Sequence, residues 1–222
     1  MQRKSFLVVL VLLSAAFFTF QGCGHAEKKE VAEPEASKEA PQPVKPTENG
    51  VFKLFNVYTD AAATDNHYFS TGWMGDFGDL KLNEKSTTSP HSGSTCIQIT
   101  YTAKASQGAR WAGIYWQNPA NNWGTRPGGY DLTGAKKLTF WARGEKGAER
   151  IEEFKVGGIT GEYADSDVVG IGPVVLTTDW QQFTIDLEGK DLSSISGGFC
   201  WSTNLDSTPA GCTFYLDDIK YE

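Results

Sequence analysis

Seven tryptophans lie between Trp73 and Trp201 of this 222-residue chain, and the approach before Trp73 has none. Flat aromatic rings could stack on the apolar C–H face of a sugar ring, while charged and amide side chains beside them bond the hydroxyls. The side chains that we expect to act in this way are Trp111, Tyr115, Gln117, Trp123, Trp141, Arg143, Glu153 and Lys155. The residue types therefore predict recognition of a glycan surface by stacking and hydrogen bonding.

Short segments in which apolar and polar residues alternate would position these side chains. Gly, Asn, Asp and Pro separate ten such segments, over residues 51–58, 79–83, 95–102, 110–117, 137–143, 151–156, 173–176, 181–187, 198–202 and 213–221. Alternation is typical of strands with one buried face, and no segment shows the 3.6-residue apolar period of a long helix. The chain therefore predicts an all-β domain built as a two-sheet antiparallel sandwich.

The parity of each segment divides the tryptophans between core and surface, because successive side chains of a strand point to opposite faces. Trp116 is assigned to the core, Trp180 and Trp201 to structural positions, Trp73 and Trp123 to loops, and Trp111 and Trp141 to the displayed surface. We expect Trp111 and Trp141 to lie on one sheet face. The alternatives are a solvated face with charged pairs across its strands, and a Trp123 that folds back to cap the sandwich.

Four stretches resemble a known class of domain. They are KKLTFWARGEKGAERIEEFKVGG (136–158), DWQQFTIDL (179–187), FYLDDIKYE (214–222) and SPHSGSTCIQITYT (89–102). Together they resemble the jelly-roll carbohydrate-binding modules with a galactose-binding-like fold, over most of residues 51–222. The resemblance implies a jelly-roll β-sandwich that binds its ligand on the concave sheet or at the loop tips; it says little about which ligand, because this scaffold hosts many functions.

The same resemblance implies a structural Ca²⁺ between the first and last strands. Asp60 follows the first segment, and Asp217 and Asp218 lie in the last one, so Asp60 with either of the two is the expected ligand set. Carboxylate oxygens are the ligands that Ca²⁺ prefers. The alternative is that one aspartate caps a turn while the other is solvated.

Cys200 and Cys212 flank a turn that contains Asn204 and Gly211. Two adjacent antiparallel strands would bring the two thiols together, and export would place them in an environment that permits oxidation. We therefore predict a Cys200–Cys212 disulfide. Cys96 would then be a buried free thiol. A pairing that uses Cys96 is the alternative.

The N-terminal residues predict export and anchoring. Arg3 and Lys4 precede an apolar run over residues 6–18 that is too short to span a bilayer comfortably, which is typical of a signal peptide over residues 1–22. Gly22-Cys23 resembles a lipobox and predicts lipidation of Cys23; an ordinary signal peptide is the alternative. Residues 23–50 hold four of the nine prolines and no Phe, Tyr or Trp. They predict a disordered tether before a single domain over residues 51–222.

The net charge and the arrangement of acidic residues limit the classes of function that the chain could have. Removal of the signal peptide leaves 18 basic side chains against 27 acidic ones, a net charge of −9, which argues against nucleic acid. Acidic pairs among Glu149, Glu152 and Glu153, or Asp165 and Asp167, make glycoside hydrolysis the least favoured function, because they are neighbours in one strand or turn. We predict a monomeric lipoprotein of the cell envelope, at the outer membrane, that binds a polysaccharide without cleaving it. The alternative is a structural or adhesive lipoprotein that contacts protein or a wall polymer.

Overall fold

The computed structural model describes residues 47–48 and 51–222. The strands of this part are β1 (Thr47–Glu48), β2 (Val51–Phe52), β3 (Phe55–Tyr58), β4 (Phe69–Gly75), β5 (Leu80–Ser86), β6 (Cys96–Tyr101), β7 (Trp111–Gln117), β8 (Lys137–Gly144), β9 (Arg150–Ile151), β10 (Glu153–Gly157), β11 (Val168–Ile171), β12 (Val174–Val175), β13 (Gln181–Asp186), β14 (Gly197–Asn204) and β15 (Cys212–Tyr221). A 3-10 turn spans Phe77–Asp79. Within the described ranges, no helix has the length and apolar character needed to cross a bilayer.

The predicted signal peptide and Cys23 lie outside the described residues. So does the predicted tether, except for Thr47–Glu48, which pairs with Val51–Phe52 as a short antiparallel ladder.

Two antiparallel sheets form the domain. Sheet A has the strand order β11–β10–β14–β7–β4. Sheet B has the order β13–β8–β15–β6–β5, and β3 pairs with the second half of β15 beyond the end of β6. β9 and β12 form a separate short pair. The prediction of an all-β, two-sheet antiparallel sandwich is confirmed.

Alternation places one face of each long strand in the core, as parity predicted. In β10, Phe154 is fully buried while Glu153 and Lys155 on either side of it stay partly exposed. Trp116 of β7 and Trp201 of β14 are the largest fully buried side chains, which confirms their structural assignment. Full burial of a large apolar side chain contributes roughly 1.5–3 kcal/mol, so these residues are central to stability.

The two edge strands of sheet A were not among the predicted segments. β4 contains Trp73, so the prediction of a loop at this residue is wrong. Gly72 and Gly75 interrupt the alternation of β4, and β11 has only four residues with a glycine among them. Glycine inside a strand weakens the local pattern and supplies no side chain to pack, so these two strands lack the alternation on which the prediction depends.

The prediction that Trp111 and Trp141 share one face is also wrong. Trp111 begins β7 of sheet A, whereas Trp141 lies in β8 of sheet B. Each points away from the core, because its neighbours Ala112 and Phe140 are fully buried. In a sandwich the outer surfaces of the two sheets face opposite directions. Parity was correct within each strand, but the predicted site divides between two surfaces.

The predicted Cys200–Cys212 disulfide is wrong as well. Cys96, Cys200 and Cys212 are all free thiols. β14 carries Cys200 in sheet A and β15 begins at Cys212 in sheet B, so the strands that flank the turn are not hydrogen-bonded neighbours. The prediction that Cys96 is a buried free thiol is confirmed.

Candidate functional site

The outer surface of sheet A carries exposed aromatic rings over a low floor. We call it the aromatic face and define it by Met74, Trp111, Tyr115, Trp123, Glu153 and Lys155. Cross-strand pairing places Lys155, Cys200 and Tyr115 in one row and Glu153, Ser202, Gly113 and Met74 in the next. Side chains that are paired in this way lie on the same face of a sheet. Five of the eight side chains predicted to bind ligand therefore lie on this surface.

Two rings of the aromatic face are open to solvent. Trp111 is 40% exposed and Trp123 is 39% exposed. Trp123 projects from the connection after β7 and meets the ring of Tyr115 edge-on, with centroids 6.0 Å apart and planes at 89°. Next to Trp123, the carbonyl of Gly124 accepts a hydrogen bond of 3.0 Å from the N–H of Tyr163. Trp123 is thus held in place while much of its surface stays accessible.

Glycines keep the floor between the two exposed rings low. A Cβ on Gly113 would lie 3.1 Å from Met74 Cε and 3.2 Å from Ser202 Cβ, and one on Gly72 would lie 2.7 Å from Tyr115 Cβ. Side chains at these two positions would crowd their neighbours and rise above the floor. Their absence leaves a shallow strip along β7.

Tyr115 supports this strip rather than offering its own ring. It is only 4% exposed, and its hydroxyl donates to the carbonyl of Gly157 at 3.0 Å. Burial raises the pKa of Tyr115 far above its ordinary value, so the hydroxyl stays protonated and keeps that bond. Lys155 Nζ lies 5.5 Å from the centroid of the Tyr115 ring and 3.1 Å from Glu153 Oε2. The pair of Glu153 and Lys155 therefore remains at the surface beside the strip.

Gln117 was predicted to contact ligand, and its position contradicts this. The residue is fully buried. Its Nε2 donates to the carbonyl of Asn122 at 2.9 Å, and its Oε1 accepts from the hydroxyl of Thr71 at 3.1 Å. Gln117 thus holds the loop that carries Trp123, and it is a positioning residue rather than a ligand contact.

On sheet B, the loop over residues 87–95 packs on the outer surface; we call it the covering loop. His91 of this loop stacks on Trp141, with centroids 3.7 Å apart and planes at 16°. The indole N–H of Trp180 donates to the carbonyl of Ser89 at 3.0 Å. The ring of Trp141 that was predicted to stack on a sugar is therefore stacked on the protein itself.

Arg143 also holds the covering loop in place. Its Nη2 donates to the carbonyl of Thr88 at 2.8 Å. Its guanidinium carbon lies 3.8 Å from the ring centroid of Tyr215 and 5.1 Å from that of Trp180. The guanidinium lies between the sheet and the covering loop, so the geometry gives Arg143 a packing role in place of the predicted ligand contact.

Comparison with known proteins identifies the type of β-sandwich. No protein-family model matches this sequence, and no curated protein matches it. Among solved structures, the family 30 carbohydrate-binding module of the cellulosomal cellulase Cel9D-Cel44B of Clostridium thermocellum is 19% identical, with a TM-score of 0.52 over 77% of this chain and 98% of that one. A second structure of a family 30 carbohydrate-binding module is also 19% identical, with a TM-score of 0.54 over 77% and 99% of the two chains. The domain has their jelly-roll fold.

In this jelly roll, the aspartates that were linked to Ca²⁺ hold the covering loop. Asp60 accepts a hydrogen bond of 2.8 Å from the N–H of Ser94, and its other oxygen accepts from the hydroxyl of Thr95. The bond from Thr95 lowers the pKa of Asp60 below its ordinary value. Asp60 thus latches the C-terminal end of the loop as an ionised acceptor.

Asp217 and Asp218 hold the middle of the loop. Asp217 accepts from the N–H groups of His91 and Ser92 at 2.9 and 3.3 Å, and Asp218 lies 2.8 Å from Nδ1 of His91. Among the described residues there is no cluster of three or more His, Cys, Asp or Glu side chains that could hold a metal. Carboxylates that face N–H and O–H donors fit a loop latch rather than a cation site. The Ca²⁺ site stays a prediction.

The carboxylates weighed for hydrolysis are each engaged by a neighbour. Glu152 accepts from Nε of Arg150 at 2.7 Å, and Glu153 pairs with Lys155. Asp165 accepts backbone N–H bonds, including one of 2.9 Å from Ile159. Nearby donors thus already bind these three carboxylates, whereas hydrolysis of a glycosidic bond uses two carboxyl groups on either side of the bond.

Proposed function

We propose that the domain binds a polysaccharide through the aromatic face and does not cleave it. The observation that carries this proposal is the pair of exposed tryptophans, Trp111 and Trp123, on the same outer surface of sheet A. Large apolar rings exposed together on a folded domain are typical of a binding surface. The jelly-roll fold shared with carbohydrate-binding modules is consistent with a glycan as the ligand, without identifying it.

The spacing of the rings favours a chain over a single sugar. Tyr115, on which Trp123 rests, lies four residues along β7 from Trp111. At the rise of an antiparallel strand this is about 13 Å, and the low floor between the rings would let a chain lie flat. We propose that Trp111 and Trp123 stack on sugar rings. Glu153 and Lys155, which keep 43% and 24% of their side chains exposed, would bond the hydroxyls.

The cellular setting remains part of the proposal. A signal peptide over residues 1–22, lipidation at Cys23 and a tether over residues 23–50 would anchor the domain in the cell envelope, at the outer membrane. A tethered binding domain would keep polysaccharide close to the cell surface for other proteins. Metabolic labelling with a fatty acid, compared with a Cys23→Ala variant, tests the anchor independently of binding.

Retention in gels that contain soluble polysaccharides, together with pull-down on insoluble ones, tests the binding proposal. We expect Trp111→Ala and Trp123→Ala each to weaken retention about tenfold, which corresponds to roughly 1.4 kcal/mol. Trp73→Ala is the matched control, because Trp73 is 36% exposed but pairs with the buried Ile114 and so lies off the aromatic face. Loss of retention in the control equal to that of Trp123→Ala, or no retention of the native protein by any polysaccharide, would refute the proposal.

Hydrolysis is tested on the same polysaccharides. We expect no release of reducing ends by the native protein above the level of Glu153→Gln. Release by the native protein that this substitution abolishes would show that the domain is an enzyme.

A further inference from the structure

The edge strands of the two sheets differ in how well they are protected against pairing with another chain. β13 is the edge strand of sheet B beside β8, and all six of its residues pair with β8 without a shift in register. Its residues 181–185 carry no charge, and Asp186 ends the strand. A long, regular and uncharged edge offers its backbone to a further strand.

The other edge strands of the two sheets carry features that discourage such pairing. β5, at the opposite edge of sheet B, contains Lys81, Glu84 and Lys85 and a shift in register. In sheet A, β4 has a register shift and ends at Gly75 with a positive φ, and β11 has only four residues. Charges, bulges and short length are the means by which edge strands avoid pairing. Of these four strands in the described part of the chain, β13 is the least protected.

Hydrogen bonding to β8 fixes which backbone groups of β13 point outward. Directly after β13, the N–H of Leu187 donates to the carbonyl of Lys136 at 2.9 Å, in the register that runs along the whole strand. In an antiparallel pair every second residue bonds to the same neighbour, so alternate residues counted back from Leu187 bond to β8. The backbone N–H and C=O groups of the residues between them, Gln182, Thr184 and Asp186, therefore point away from β8.

We propose that two copies of this chain pair through β13 as an antiparallel dimer, in place of the monomer expected from the sequence. The two-fold axis passes through Thr184, which lies opposite Thr184 of the second copy. Gln182 then lies opposite Asp186 of the second copy, and its amide can donate to the carboxylate. Phe183 lies opposite Ile185, which pairs two apolar side chains on the inner face of the sheet.

This self-complementary register favours a second copy over any other occupant of the edge. The outward backbone groups of β13 meet the same groups of the second copy, and like residue types face each other on the inner side of the sheet. A two-fold pairing closes on itself and leaves neither β13 free. Pairing of β13 with a different edge strand of a second copy would leave open edges at both ends and continue into a filament.

The contact is small, so we expect a weak dimer. β13 supplies six residues, whereas a standard interface uses about 20–30 residues a side. Charge repulsion across the axis is limited. The two Asp186 residues lie four positions apart along the paired strands, about 13 Å, which exceeds the screening length of about 8 Å at physiological salt.

The dimer would also orient the two aromatic faces. Sheet B becomes continuous across both copies, with the two-fold axis perpendicular to it, so sheet A of each copy lies on the same side. Both aromatic faces then point in one direction, and one polysaccharide could reach both. This consequence rests on the proposed function. The dimer itself does not, because β13 belongs to sheet B and the aromatic face to sheet A.

Sedimentation velocity at protein concentrations from about 1 to 500 µM, with a reductant present, measures the association. We expect the native protein to be a monomer at the low end of this range and a dimer at the high end. Hydrogen exchange over the same range locates the contact. The amides of Gln182 and Thr184 should exchange severalfold more slowly as the concentration rises, whereas those of Phe183 and Ile185, which bond to β8, should not change.

Substitutions at the axis test the register. Thr184→Lys places two like charges directly opposite each other and should weaken association at least tenfold. Asn83→Lys is the matched control, because Asn83 is exposed on β5 at the opposite edge of the same sheet, and it should associate like the native protein. A mixture of Thr184→Lys and Thr184→Glu should form a heterodimer, since opposite charges then meet across the axis, while each variant alone stays monomeric. Melting curves check that the variants are folded.

The outcomes are independent of polysaccharide retention by the aromatic face. A native protein that stays monomeric up to 500 µM would overturn the dimer. So would association that Thr184→Lys leaves unchanged, a mixture of the two charged variants that associates no better than either alone, or concentration-dependent protection at another strand in place of β13.

Discussion

Asp217 lies on the outer surface of sheet B beneath the covering loop, where solvent does not reach it. Its carboxylate accepts N–H bonds from His91 and Ser92 of the loop and from Asp218 next to it. Burial raises the pKa of Asp217 to about 6, and the hydrogen bonds offset only part of that effect. The stability of the domain should therefore depend on pH in a range where most carboxyl groups are already ionised.

The sign follows from proton binding. Between about pH 4 and pH 6 the folded protein keeps a proton on Asp217 that the unfolded chain has released, so the free energy of unfolding falls as the pH rises through this range. The stabilising contribution is complete below about pH 4 and lost above about pH 6. A shift of about two pKa units sets an upper limit of about 3 kcal/mol. Only one loop covers the carboxylate, and screening by nearby water lowers the expected change to about 1–2 kcal/mol.

Urea unfolding of the native protein and of Asp217→Asn at half-unit steps from pH 4 to pH 7.5 measures this change. The variant stays neutral at every pH, and His91 and Asp218 are present in both proteins, so the difference between the two unfolding free energies isolates Asp217. We expect the difference to fall by about 1–2 kcal/mol with a midpoint near pH 6 or slightly below. A constant difference, or one that rises with pH, would show that the buried carboxylate does not titrate as argued.

Four further results are expected. Gln117→Ala should lower the free energy of unfolding by about 1–3 kcal/mol in urea and weaken polysaccharide retention, because it unpairs the loop that holds Trp123; weaker retention at full stability would make Gln117 a ligand contact after all. Trp141→Ala should leave retention unchanged in affinity gels while the melting temperature falls. Cys200 and Cys212 should both be alkylated after unfolding without reductant, since neither is in a disulfide. If the predicted Ca²⁺ site exists, chelation should lower the melting temperature and added Ca²⁺ should restore it; an unchanged melting temperature would remove the site.

Strand parity could be derived from the sequence because it depends only on neighbouring residues. Phe154 between Glu153 and Lys155 is a local pattern, and it assigns the core side without any knowledge of the sheets. The same holds for Trp116 and for the exposure of Trp111. These assignments were correct because a strand with one buried face has to place its apolar residues at alternate positions.

Sheet membership could not be derived in this way. It depends on which strands pair, and alternation within β7 and β8 is the same whether they lie in one sheet or in two. For this reason Trp141 was grouped with Trp111, and Cys200 was paired with Cys212 across what is in fact a change of sheet. A pairing pattern from related sequences is the signal that could have separated them.

The two outer surfaces differ in whether their tryptophans are free to stack on another molecule. Both sheets display a tryptophan beside charged residues, and their strands alone do not distinguish them. On sheet B the covering loop supplies His91 to the ring of Trp141 and backbone carbonyls to the indole N–H of Trp180 and to Nη2 of Arg143, so these groups are already engaged within the protein. On sheet A the loop after β7 carries Trp123. The ring of Trp123 meets the ring of Tyr115 edge-on and stays open to solvent. One loop engages the aromatic groups of sheet B, and a different loop adds an exposed ring to sheet A, so the aromatic face is the surface whose tryptophans remain free to stack.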